Sequence, residues 1–190
     1  MKTAIQTPIR KATALFAAVA AAALFPLSPA HADEHEKTSA IAVLHPTEGN
    51  DVTGIVKFTP TEDGKIKITA TVKGLKPDSE HGFHIHQYGD CSAPDATSAG
   101  GHYDPHGHEH GVPDAANRHA GDMGNLETNA EGVANFELVV DNITISEGDT
   151  PIIGRSVIVH ANKDDGSQPT GNAGPRVACG VIGFANPGDQ

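Results

Sequence analysis

The sequence predicts an all-β domain, an antiparallel sandwich or barrel, on three observations. Short segments alternate apolar and polar residues with a period of two, turns rich in Gly, Pro and Asp punctuate them, and no stretch shows a helical period. Residues 40–46, AIAVLHP, read as the first strand. GIVKFTP at 54–60 and KIKITATV at 65–72 flank the turn Thr61-Glu62-Asp63-Gly64 and read as a hairpin. HGFHIHQY at 81–88 is the next strand, GVANFELVV at 132–140 resumes the alternation, RSVIVHA at 155–161 follows, and RVACGVIGFA from Arg176 closes the pattern. Two polar segments interrupt it, one from Gly89 to Gly121 and one over 162–175, NKDDGSQPTGNAGP. A connection as long as the first, inside a compact domain, is usually functional. Both segments adjoin histidine-bearing strands, and loops carried on a rigid sheet are where chemistry tends to sit.

The first residues are of another kind. Lys2, Arg10 and Lys11 precede the apolar run ATALFAAVAAAALFPL, which ends at SPAHA; a basic start, an apolar middle and an A-x-A site describe a secretory signal peptide. The run is short for a membrane span and no second apolar segment follows, so no stable membrane insertion is expected after cleavage. Cleavage is expected after Ala32, with Ala30 as the neighbouring possibility. That makes 1–32 the signal peptide and 33–190 a single exported domain, periplasmic or secreted, with a flexible acidic leader over 33–39. Losing the three basic residues takes the formal net charge from −11 to −14, which argues against nucleic acid as a partner. Cys91 and Cys179 are the only cysteines, and in an oxidising compartment an even pair most simply forms one disulfide.

The histidines carry the chemistry. His84 and His86 stand two apart in a strand pattern, so their rings share one face and offer a chelate for copper or zinc. His160 ends another strand. The long loop supplies His102, His106, His108, His110 and His119, and Asp122 follows His119 at a spacing suited to zinc. Spacing alone leaves open which of His102, His106, His108 and His110 are ligands, and leaves a solvated histidine-rich loop as the plain alternative. The residues by themselves describe a metal-binding β protein whose reaction is undetermined.

GFHIHQYGDC, SAGGHYDP, RHAGDMGN, GRSVIVHA and GNAGPRVACGVIG occur in the order found in the copper,zinc superoxide dismutases, and the chain resembles that family over roughly residues 40–185. Cys91 directly follows Gly89-Asp90, with PDATSA before the SAGG motif, which resembles the bacterial, exported branch and pairs Cys91 with Cys179. The resemblance implies a Greek-key antiparallel β-sandwich or flattened barrel of about eight strands with two long functional loops. It implies copper held by His84, His86, His102 and His160, and zinc held by His102, His110, His119 and Asp122, with the His102 ring bridging the two. Asp164 resembles the family's aspartate that hydrogen-bonds one copper-ligand and one zinc-ligand histidine, and Arg176 resembles the arginine at the mouth of the copper channel.

The implied cofactors are copper and zinc, the implied substrate is the superoxide anion, and the implied reaction is its dismutation to dioxygen and hydrogen peroxide. Arg176 would dock the anion and His102 would pass a proton. The alternative on the same fold is a copper and zinc buffering or delivery protein. A homodimer stands as an open possibility. His81 reads as a structural hydrogen-bonding residue, and Lys163 as either a source of positive potential or an ordinary exposed lysine. His106 and His108 have no matched role and read as solvated loop residues, with capture of incoming metal as the alternative.

Overall fold

The computed structural model describes residues 38–187; the expected signal peptide and most of the acidic leader lie outside the described residues. Eight strands follow in chain order: β1 (Ala40–Pro46), β2 (Thr53–Pro60), β3 (Ile66–Lys73), β4 (Glu80–His86), β5 (Asp122–Glu127), β6 (Ala134–Val140), β7 (Ser156–His160) and β8 (Arg176–Phe184). They pair in the order β5-β4-β7-β8-β1-β2-β3-β6, antiparallel throughout. Where β5 turns into β6, a bridge between Thr128 and Ala134 joins the two ends of that order, so the sheet curls into a nearly closed barrel. β6 lies beside β3 and β7 beside β4, which is the crossing pattern of a Greek key.

Inward-facing residues of all parts of the barrel make one core, with Leu44, Phe58, Ile68, Phe83, Ile85, Leu126 and Ile182 essentially without solvent contact. The strands differ in what covers their outer face. β2 and β6 alternate buried and exposed residues, as strands with one wet face should. β4 and β7 are buried almost throughout, because loops lie over their outer face. His84, His86 and His160 are therefore inside the protein although they point away from the barrel core.

Seven strands fall within about two residues of the sequence pattern, the usual scatter of element ends. β5 is the one the pattern does not announce. Its residues DMGNLE include Gly124 at φ 83 and two polar side chains, Asp122 and Asn125, that are turned to use beneath the loops instead of to water. A single 3₁₀ turn, Thr97–Ala99, lies within the long loop.

The long loop is fastened at its start. Cys91 is disulfide-bonded to Cys179 of β8, 88 residues away in sequence. Around this bond Ala96, Ala99 and Ile158 form a small apolar cluster on the outer face of β7 and β8. Replacing both cysteines by alanine is expected to lower stability by about 2–5 kcal/mol, since the bond removes loop entropy from the unfolded chain. Urea unfolding of the metal-free protein measures this, and an unchanged midpoint would contradict it.

Candidate metal centre

Alternation along β4 sends Phe83 and Ile85 into the barrel core and His84 and His86 to the opposite face. The long loop comes back to cover them and is tied to β4 by its backbone. Ile85 N–H donates to Gly121 O at 2.9 Å, Tyr103 N–H donates to Ile85 O at 2.8 Å, and Gly121 N–H donates to Tyr103 O at 2.9 Å. This approach requires glycine at 121, because a Cβ there would run into the Ile85 carbonyl oxygen. The same pairing sets His102 opposite His86. β5 presents Asp122 opposite His84, and β7 ends with His160 opposite Arg176 of β8.

The second loop returns Asp164 to this face, where it is buried. Asn125 of β5 holds its backbone in both directions: Asp164 N–H donates to Asn125 Oδ1 at 2.8 Å, and Asn125 Nδ2 donates to Asp164 O at 2.9 Å. Asp164 then accepts from two rings, His84 Nε2 at 2.7 Å and His110 Nε2 at 3.0 Å. Gln168 ties His110 itself, accepting its N–H at 3.0 Å and donating to its carbonyl at 2.8 Å.

Three groups of donor atoms result; one, His84, His110 and Asp164, is the hydrogen-bonded bridge just described, and the other two share a ring. In each, the available ring nitrogens and carboxylate oxygens lie within 4.8 Å of one another: His84, His86, His102 and His160 in one, His102, His110, His119 and Asp122 in the other. His102 belongs to both. In the second set Asp122 Oδ1 is 2.9 Å from His102 Nδ1, 3.1 Å from His110 Nδ1 and 3.2 Å from His119 Nδ1, and the Nδ1 atoms of His102 and His119 are 3.4 Å apart. Ligands at about 2.0–2.1 Å from a tetrahedral zinc ion lie roughly 3.3 Å apart, so this spacing fits such an ion. The other carboxylate oxygen, Oδ2, accepts from Gly111 N–H at 2.9 Å and His119 N–H at 3.1 Å, which holds Asp122 in orientation.

The first set is tested by its unpaired atoms. His84 Nδ1, His86 Nε2 and His160 Nε2 are buried with no hydrogen-bond partner. An unsatisfied buried polar atom costs about 1–3 kcal/mol, and here three are gathered at one place. The far nitrogen of each ring is occupied. His84 Nε2 meets Asp164, His86 Nδ1 donates to Gly100 O at 3.0 Å, and His160 Nδ1 donates to Gly174 O at 3.0 Å. A carbonyl oxygen can only accept, so the proton of His86 sits on Nδ1, that of His160 also on Nδ1, and each leaves a lone pair on Nε2 for a metal.

Electrostatics follow burial. Burial penalises the charged ring and pushes His160 down to about 3, His102 down to about 4 and His86 well below the ordinary histidine value. His110 goes the other way: against its burial, the carboxylates of Asp122 and Asp164 beside it push it up to about 9. Burial alone would raise the carboxyls of Asp122 and Asp164, but the rings beside them hold both well below the usual carboxylate range. Neutral rings with free lone pairs and ionised carboxylates are the forms that bind metal, so His86, His102, His160 and the two carboxylates are ready for it, whereas His110 gives up a proton when an ion enters.

A small cavity of about 190 Å³ opens onto the first set, lined by His86, His102, His160 and Arg176. The Arg176 guanidinium is fixed by two carbonyls, Nη1 donating to Ala96 O and Nη2 to Gly100 O, both at 2.6 Å. His81 converges on neither set. It is buried, and its Nδ1 lies 2.9 Å from His160 O, a structural contact. Lys163 pairs with Glu80 at 2.5 Å, so its charge is answered locally. His106 and His108 are exposed and join neither set. Asn125 and Gln168 are positioning residues that the motifs do not reveal, because a side-chain amide in a loop or an unannounced strand carries no sequence signal.

Comparison with known proteins agrees with this geometry. A family model described as copper/zinc superoxide dismutase matches residues 52–182. The chain is similar to a protein of Brassica juncea named superoxide dismutase [Cu-Zn] 2, with 45% identity over 151 residues, 76% of this chain and 96% of that one. The chain belongs to the copper/zinc superoxide dismutase family and is an oxidoreductase with copper and zinc as its cofactors.

Proposed function

We propose that the enzyme dismutes superoxide, two radicals and two protons giving dioxygen and hydrogen peroxide, at a copper held by His84, His86, His102 and His160. In the same proposal zinc is held by His102, His110, His119 and Asp122, with the His102 ring shared between the two ions. The observation that carries the reading is the pair of donor sets that meet in one histidine. Copper supplies the one-electron redox cycle, and zinc, enclosed by four protein ligands, has the closed set of a structural ion.

The protein's own groups do the rest. Arg176 docks the anion, since a guanidinium keeps its charge and this one lines the cavity beside His86, His102 and His160. Its two carbonyl partners fix it before substrate arrives, so little ordering remains on binding. His102 is the proton carrier. Its Nδ1 faces the zinc set beside Asp122, which leaves Nε2 as the atom that would take and give the proton. Asp164 sets the orientation of His84 and His110 together.

We also propose that residues 1–32 are removed and that the enzyme works outside the cytoplasm, as in the exported bacterial branch. The Cys91–Cys179 disulfide supports this, because such bonds persist in oxidising compartments.

Protein loaded with both metals should consume superoxide faster than the same copper held by a chelator, in a stopped-flow or competition assay. Equal rates would refute the assignment. Arg176→Glu should slow turnover roughly ten- to a thousandfold with copper and zinc content unchanged, and unaltered turnover would remove Arg176 from the mechanism. Asp164→Asn keeps the size of the side chain but cannot accept from both rings. It should weaken metal binding by about 10–100-fold in competition with a chelator, and unchanged affinity would contradict the positioning role.

A further inference from the structure

His106 and His108 are absorbed by neither donor set, yet they are not placed as a random exposed pair. One carboxylate oxygen, Asp104 Oδ1, accepts the backbone N–H of His106 at 3.3 Å, of Gly107 at 3.0 Å and of His108 at 3.1 Å. Gly107 sits at φ 72, a conformation that suits glycine and turns the chain tightly between the two histidines. The result brings the two rings to a centroid separation of 5.6 Å. Ring pairs within the two inner sets are separated by between 4.0 Å (His84 and His102) and 6.4 Å (His84 and His86), and the outer pair falls inside that range.

His108 also repeats the device that frees a lone pair in the inner set. Its Nδ1 donates to Arg118 O at 3.0 Å, as His86 Nδ1 does to Gly100 and His160 Nδ1 to Gly174, so Nε2 is left as the acceptor. The two rings line a cavity of about 320 Å³ together with the carboxylates of Asp141 and Asp149, which favour a cation. Arg118 lines it too, but its guanidinium is turned to Ala115 O at 3.1 Å and Asn142 Oδ1 at 3.3 Å.

We propose that His106 and His108 form a third, exposed site for a divalent ion of the zinc class, separate from the two inner sites. It rests on the reading that His102, His110, His119 and Asp122 already hold the inner zinc. No third His, Cys, Asp or Glu atom closes in on this pair among the described residues, so water completes the shell and the ion exchanges freely. The site stands two residues before His110, and so keeps zinc beside the segment that supplies an inner ligand.

The test uses the full chain loaded with copper and zinc, assayed for metal content and superoxide turnover, and then titrated with zinc(II) alone by calorimetry. Wild type should take up one further zinc equivalent in the micromolar range. The His106→Ala/His108→Ala double variant, and each single variant, should start with the same metal content and turnover and lose that equivalent. An equal uptake by wild type and double variant, or no further uptake by wild type, overturns the proposal. A double variant that begins with less inner zinc also overturns it, by assigning these rings to the inner set. Failure of the inner-site reading would show separately, as a loaded wild type whose metal content is not one copper and one zinc.

Discussion

Asp164 is buried, belongs to the second loop, and accepts hydrogen bonds from a ring on β4 and a ring on the first loop. Taking a carboxylate out of water costs several kcal/mol unless its lone pairs are met, so this residue can be buried only if His84 and His110 arrive together. Each arrival has its own cause. His84 is fixed by the pleat of β4, and His110 by Gln168 and by the return of the loop along Ile85. Asp122 repeats the arrangement on the other side of His110, with His102 and His119 as further partners. The two carboxylates therefore tie three separate stretches of chain into one buried polar cluster whose remaining lone pairs are left for metal.

The same economy explains why the barrel is lopsided. One side, around β2 and β6, has an ordinary solvated face. The other, around β4 and β7, is roofed by loops held through a disulfide, a small apolar cluster and a row of backbone bonds to β4. A roof fixed at that many points keeps the donor atoms in place before metal enters, and it also fixes Arg176 through the carbonyls of Ala96 and Gly100. Site geometry and loop rigidity are thus one property of the fold.

How much of this the amino acids disclose depends on the kind of contact. His84 and His86 are legible because a strand repeats every two residues, and their common face follows from backbone geometry alone. Seven strands are legible for the same reason. β5 is not, since Asp122 and Asn125 look like loop residues until Asp164 and the histidines are placed against them. Within GHYDPHGHEH, spacing cannot separate His102 and His110 from His106 and His108. The motif resemblance does so, and the structure brings the first two inside and leaves the other two exposed. Asn125 and Gln168 escape both routes, because their work is to hold backbone that only the folded loops bring near.

The central claim is that His102 stands between two different ions, copper on the side of His84, His86 and His160, and zinc on the side of His110, His119 and Asp122. Anomalous diffraction from crystals of the metal-loaded enzyme, collected at the copper and zinc absorption edges, tests it most directly. The account predicts two peaks flanking the His102 ring, the copper peak within the first donor set and the zinc peak within the second. A single peak, both elements in one set, or a His102 ring that contacts neither ion would contradict it.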